Sequence, residues 1–165
     1  MHKKVSYGGI ATALAVLLLA LSAYFPTGKA ATLFASSALV YAYRRVDGIK
    51  AAFAMYGATA ILAFLITAGS FSLITASFII CFGNYPVIRY FTENKKPGLM
   101  VALRAILYSI YFAVMYGVIK YFMPIEIPFS VLLLYLAGAV VFIGYDVLLR
   151  YTGIYIEGLF YRIRR

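Results

Sequence analysis

Long charge-free apolar stretches alternate with short basic clusters along the whole chain. A helix needs about 20 mostly apolar residues to cross the hydrocarbon core of a bilayer. The first charge-free stretch runs from Gly8 to Gly28, with AVLLLALSAYF at its centre and Pro26-Thr27-Gly28 at its end. A second, shorter one runs from Ala30 to Tyr43 and is closed by Arg44-Arg45. The longest, Ala51 to Ile88, has 38 residues. As one helix it would be about 57 Å long at 1.5 Å per residue. A core about 30 Å thick therefore predicts two spans, joined by a hairpin at Ala68-Gly69-Ser70. A fifth span is predicted from Pro97 to Phe122 and a sixth from Pro128 to Leu149. Proline is tolerated at both starts because its missing N–H has no partner in a first turn. The pattern predicts an all-α polytopic membrane protein of six transmembrane helices over residues 1–150. Residues 151–165 (YTGIYIEGLFYRIRR) are too charged to span and predict a basic amphipathic cytoplasmic tail on the inner leaflet. The alternative for this tail is a docking strip for a cytoplasmic partner. His2-Lys3-Lys4 followed by apolar residues also resembles a signal peptide. The length of the stretch and the spans behind it favour a retained helix.

Composition agrees with the pattern. Of 165 residues, 65% are hydrophobic and only 12% are charged, too apolar for a water-soluble fold of this size and for a disordered chain. Charge sets the orientation, because basic residues collect on the cytoplasmic side. With the amino terminus inside, 13 of the 15 Lys and Arg fall on inner segments, leaving Lys29 and Lys120 outside. Both termini are expected in the cytoplasm. The net charge of +10 then follows from this asymmetry and from attraction to anionic lipid, and calls for no nucleic acid. Among the 16 Tyr, several fall near the predicted interfaces, where amphipathic rings are favoured.

Catalytic chemistry is sparse. One His stands at position 2 and one Cys at position 81. The five acids, Asp47, Glu93, Glu126, Asp146 and Glu157, do not pair on one helix face. No phosphate-cradling Gly loop, GxSxG or HExxH motif is present. An enzyme, a metal site and a bound cofactor are not expected, and a lipid-modifying enzyme is disfavoured for want of acid–base groups.

Polar residues inside a membrane ask for a reason. Asn84 and Tyr85 in FGNYPVIR, Arg104 in the fifth span and Asp146 in the sixth fall at similar depth near the inner surface. They suggest an intramembrane polar cluster. In it an Arg104–Asp146 ion pair would be completed by Asn84 or Tyr85, fixing helix register or serving function; alternatively Arg104 snorkels alone. Gly83 and Pro86 predict a break or bend in the fourth helix. Ala11 and Ala15 lie one turn apart on a small-residue face of the first helix, which suits close helix approach, within the bundle or to a partner. In the outer half, Tyr24, Lys29, Tyr116, Lys120, Glu126 and Tyr135 form a candidate substrate-binding set. One cation, one carboxylate and aromatic hydroxyls suit a small polar or zwitterionic molecule. Ordinary interfacial decoration is the alternative for each.

Six short spans, both ends inside and the Ala11-xxx-Ala15 first helix together resemble the substrate-capture subunits of energy-coupling-factor transporters. The likeness is architectural and covers the whole chain. The GNYPVIR segment, Arg104 and the YDVLLRY segment around Asp146 are also similar to small uncharacterised membrane proteins of clostridia and relatives. The first resemblance implies a bacterial cytoplasmic-membrane subunit that captures a micronutrient-like small molecule from outside. It implies partnership with a membrane coupling subunit that carries two ATPases, with Ala11 and Ala15 as docking residues and the pocket in the outer half. The alternative expectation is a ligand-free structural or interaction subunit of a membrane assembly.

Overall fold

The computed structural model describes residues 2–24, 28–66, 73–93, 95–122 and 130–164, and their regular structure is helical throughout. Six helices follow in order: α1 (His2–Tyr24), α2 (Lys29–Asp47), α3 (Ile49–Ile66), α4 (Leu73–Glu93), α5 (Pro97–Phe122) and α6 (Val131–Arg164). Four of them, α3 to α6, are long and apolar enough to cross a membrane, which fits a multi-pass membrane protein. The apolar part of α1, Tyr7–Ser22, is shorter. The expected hairpin at Ala68-Gly69-Ser70 and the Pro128 start lie outside the described residues.

α2, the helix with the shortest charge-free stretch, is the axis of the bundle. It packs on α1, α3, α4 and α6 and buries Ser36, Ser37, Ala38, Val40, Tyr41, Ala42, Tyr43 and Arg44. Meanwhile Phe53, Ile61 and Leu65 of α3, Val101 and Ile106 of α5, and Val140 and Val141 of α6 are exposed. Apolar surface with polar interior is the inverse of a water-soluble fold. In lipid the arrangement is favourable, because tails are as apolar as leucine and helices associate through small residues, hydroxyls and tight packing. Ser36 illustrates this: its hydroxyl lies 2.9 Å from the Thr32 carbonyl and 3.2 Å from that of Ala15 on α1.

Gly48 alone separates α2 from α3. Its φ of +89° is open to glycine and strained for side chains with a Cβ. Its N–H caps the Arg44 carbonyl at 2.9 Å and its own carbonyl accepts from Ala52 at 3.1 Å, so the reversal leaves little backbone unpaired.

α6 differs from the expectation of a span followed by a separate tail. It continues as one helix through Leu149 and Tyr151 to Arg164. The continuation is packed at its start: Gly153 sits on the ring of Tyr41, so close that a Cβ there would come within 2.0 Å of the ring. The first turn of the expected tail therefore belongs to the α2–α6 interface.

Gly153→Ala should lower the thermal unfolding midpoint in detergent, by the equivalent of about 1–3 kcal/mol of overpacking. An unchanged midpoint would mean that the Tyr41 contact does not set the α2–α6 spacing.

Candidate functional site

α4 is helical but not regular. A π-turn occupies Phe78–Phe82, with the Gly83 N–H bonded to the Phe78 carbonyl at 2.7 Å. This takes the Gly83 N–H away from Ile79, whose carbonyl accepts instead from the Tyr56 hydroxyl of α3 at 2.7 Å. Pro86 has no N–H to offer the carbonyl of Phe82 four residues earlier. That carbonyl accepts from Ser37 of α2 at 2.6 Å and from the Tyr145 hydroxyl of α6 at 3.1 Å. The Ser37 and Tyr145 hydroxyls also bond to each other. A broken helix at membrane depth is tolerated where protein satisfies the freed groups, and here three neighbouring helices do so.

Beyond the break, α4 projects Arg89 and Glu93 into a buried charged network. Asp146 of α6 receives Arg104 of α5 at 2.6 Å on Oδ2, and Arg89 at 3.0 Å together with the Tyr85 hydroxyl on Oδ1. Arg89 Nη1 also donates to the Asp146 carbonyl at 3.0 Å. Through Nε, Arg89 reaches Glu93 at 3.1 Å. Glu93 in turn receives Arg44 of α2 at 2.7 Å and the Tyr41 hydroxyl at 3.1 Å. The guanidiniums of Arg44 and Arg89 lie 4.6 and 5.2 Å from the centre of the Tyr41 ring, within cation–π range. Arg44 and Arg89 are almost wholly buried, with side chains 2% and 4% exposed. Three guanidiniums against two carboxylates leave one positive charge in excess. Each carboxylate is surrounded by donors, which makes the cluster a fixed electrostatic knot that joins α2, α4, α5 and α6.

Two cavities lie between α5 and α6. One, of about 460 Å³, is walled by Phe82, Tyr108, Tyr111, Phe112, Tyr116, Phe142 and Tyr145, with Cys81, Met115, Ile119, Leu134 and Gly138 between the rings. The other, of about 470 Å³, contains Arg104 and Asp146 and shares Tyr108 and Phe142 with the first. Tyr108 and Phe142, 5.3 Å apart by ring centres, therefore form the septum between them. Tyr108 donates to the Tyr135 carbonyl at 2.6 Å, and the Tyr135 hydroxyl lies 2.8 Å from that of Ser109. Gly138 gives Tyr108 its place: a Cβ there would come within 2.5 Å of the Tyr108 hydroxyl.

Of the expected polar cluster, Tyr85, Arg104 and Asp146 meet as an ion pair with its hydroxyl partner. Arg104 is paired and does not snorkel alone. Asn84 contributes its backbone carbonyl to the local turn, accepting from the Val87 and Ile88 N–H groups at 3.0 and 3.1 Å, and is not among the partners of Asp146 or Arg104. Arg44, Arg89 and Glu93 were not foreseen as members. The signal available was the Arg89/Glu93 spacing of four, one helical turn, next to the foreseen motif. Of the expected outer set, Tyr116 walls the first cavity and Tyr135 lines the second. Lys29 and Lys120 are exposed and line neither. The side chain of Tyr24 and all of Glu126 lie outside the described residues. Rings supply half of the lining of the first cavity, and the second holds the Arg104–Asp146 pair. Ala11 and Ala15 are corrected as docking residues. They are 1% and 0% exposed and packed in the core with Leu33, Val40 and Ala52, so their face serves the chain's own α1–α2–α3 contacts. Among the described residues, no three His, Cys, Asp or Glu side chains gather to hold a metal ion.

No family model matches the chain, and no curated protein or solved structure is similar to it.

Arg89→Gln should be the most damaging change in the network, because it removes the cation shared by Asp146 and Glu93. Loss of one partner from a buried pair costs about 3–5 kcal/mol. Arg104→Gln should cost less, since its side chain is 19% exposed and Arg89 still neutralises Asp146. Thermal unfolding of both variants in one detergent gives the order, and an Arg104→Gln loss equal to that of Arg89→Gln would remove Arg89 from the centre.

Proposed function

We propose that this chain is a six-span protein of the bacterial cytoplasmic membrane, with both termini inside, that captures a small molecule in the aromatic cavity between α5 and α6. The observation behind this is the cavity itself. Its volume, about 460 Å³, is in the range of small-molecule sites, and it is built by concave walls from three helices. With the amino terminus inside, as the distribution of basic residues favours, the cavity occupies the middle and outer part of α5 and α6. The charged knot then lies toward the cytoplasm. α1 and α2 complete the six spans, since helices sheltered by their neighbours need less apolar surface than those facing lipid.

Capture by a small membrane subunit without an ATPase motif calls for a partner that supplies energy. We infer a membrane coupling subunit with two ATPases, as the architectural resemblance implies. The docking surface must be other than Ala11 and Ala15, which α2 and α3 already cover. The second reading, a ligand-free structural subunit, draws support from that same tight α1–α2–α3 packing.

Native mass spectrometry of the protein purified gently from its host should find a bound small molecule, or an ATPase pair with a membrane coupling subunit. A bare chain, or a chain with only non-ATPase membrane partners, would move the conclusion to the structural subunit. Orientation is tested separately on a Cys81→Ser background. Lys29→Cys should react with an impermeant thiol reagent added outside intact cells, and Lys95→Cys only after lysis. The reverse pattern would invert the topology.

A further inference from the structure

We propose that the molecule held between α5 and α6 is a flat, lipid-soluble ring compound with one oxygen acceptor, and that the Tyr111 hydroxyl binds this oxygen. The proposal rests on the capture reading above and narrows it from a polar micronutrient to a lipophilic ligand. Tyr111 stands near the middle of α5, lines the cavity and is only 6% exposed. Its hydroxyl is buried without a hydrogen-bond partner among the described residues. A buried hydroxyl left unpaired is costly, so an unpaired one on a ring that walls a cavity invites a partner from that cavity. Water answers poorly. An ordered internal water makes two to four hydrogen bonds, and a cavity walled by rings and aliphatic side chains offers it few partners.

The walls define the rest of the ligand. Phe82, Phe112 and Phe142 stand among four tyrosines, and such ring faces and edges favour a second π-system over a chain of methylenes. A lipid acyl chain reaching Tyr111 would also bring no acceptor and leave the hydroxyl unpaired. The way in is sideways. Val141 and Leu73 line the cavity and are themselves exposed on the apolar surface of the bundle, 68% and 41%. A ligand dissolved in the bilayer reaches the cavity between α5 and α6 without passing through water.

The test is equilibrium binding to the full chain in phosphatidylcholine nanodiscs, against empty nanodiscs, with tritiated 2-acetylnaphthalene, naphthalene and palmitate. Wild type should bind both ring probes saturably. Tyr111→Phe should weaken 2-acetylnaphthalene about five-fold, the range of one hydrogen bond, and leave naphthalene unchanged. Met115→Trp, which fills the cavity, should abolish both. Leu134→Trp fills it from the facing helix and replaces Met115→Trp if that variant is not monodisperse. Equal affinity of wild type and Tyr111→Phe for 2-acetylnaphthalene, with loss on filling, would overturn the hydrogen bond and leave the capture cavity standing. Displacement of the ring probes by palmitate would overturn the ring class in favour of an acyl chain. No saturable binding of any of the three probes would overturn the capture reading itself.

Discussion

Arg89 stands between two carboxylates on two helices, and much of the bundle's geometry follows from its position. A guanidinium with 4% exposure has no water to turn to, so its donors must find acceptors within the protein. Asp146 on α6 accepts from its Nη1, and Glu93 on α4 lies within ion-pair distance of its Nε, which makes no aligned hydrogen bond. Each carboxylate then needs more donors than Arg89 alone can offer, and Arg104, Tyr85, Arg44 and Tyr41 provide them from α5, α4 and α2. Four helices are thereby held to one point by directional contacts, which dispersion between apolar surfaces cannot impose. Such a knot specifies position more than it adds stability, because the desolvation of its charges offsets a large part of their attraction.

The same demand explains the irregular helix. Pro86 removes a donor and the π-turn displaces another, so two carbonyls of α4 would face hydrocarbon unpaired. The hydroxyls of Tyr56, Ser37 and Tyr145 reach them from three different helices. The break is therefore also a joint. It turns backbone groups that an unbroken helix would keep for itself into contacts with α2, α3 and α6. It also turns Tyr85, immediately beyond it, toward Asp146.

Much of this was legible in the residues. Charge-free run lengths separate the helices from the segments that link them, and Gly83-Asn84-Tyr85-Pro86 announces the irregular turn. The Arg104–Asp146 pair was legible from matching depth, because two charges at one level in hydrocarbon have few other partners. Arg44 and Glu93 were not, because residues at a predicted helix end read as ordinary surface charges until a neighbouring helix covers them. Nor could the fate of Ala11 and Ala15 be read. A small-residue face says that another helix comes close, and leaves open whether that helix belongs to the same chain. The aromatic character of the first cavity was hidden for a similar reason. Counting hydroxyls along α5 and α6 finds tyrosines, but the Tyr108 and Tyr145 hydroxyls are spent on backbone carbonyls, and what they turn toward the cavity is ring.

The cavity and the knot are parts of one arrangement. α5 and α6 are tied by Arg104 and Asp146, and again by Tyr108 and Ser109 against Tyr135 near the start of α6. Farther along α5, Met115, Tyr116 and Ile119 face the cavity, together with Leu134 and Gly138 of α6. The two ties hold the helices together while leaving space between them along the stretch that the cavity occupies. The septum of Tyr108 and Phe142 links the two regions, since Phe142 packs against Tyr85 at 4.9 Å and Tyr85 bonds Asp146. Tyr108, Phe142 and Tyr85 thus form a short continuous chain of contacts from the cavity wall to the carboxylate that pairs with Arg104.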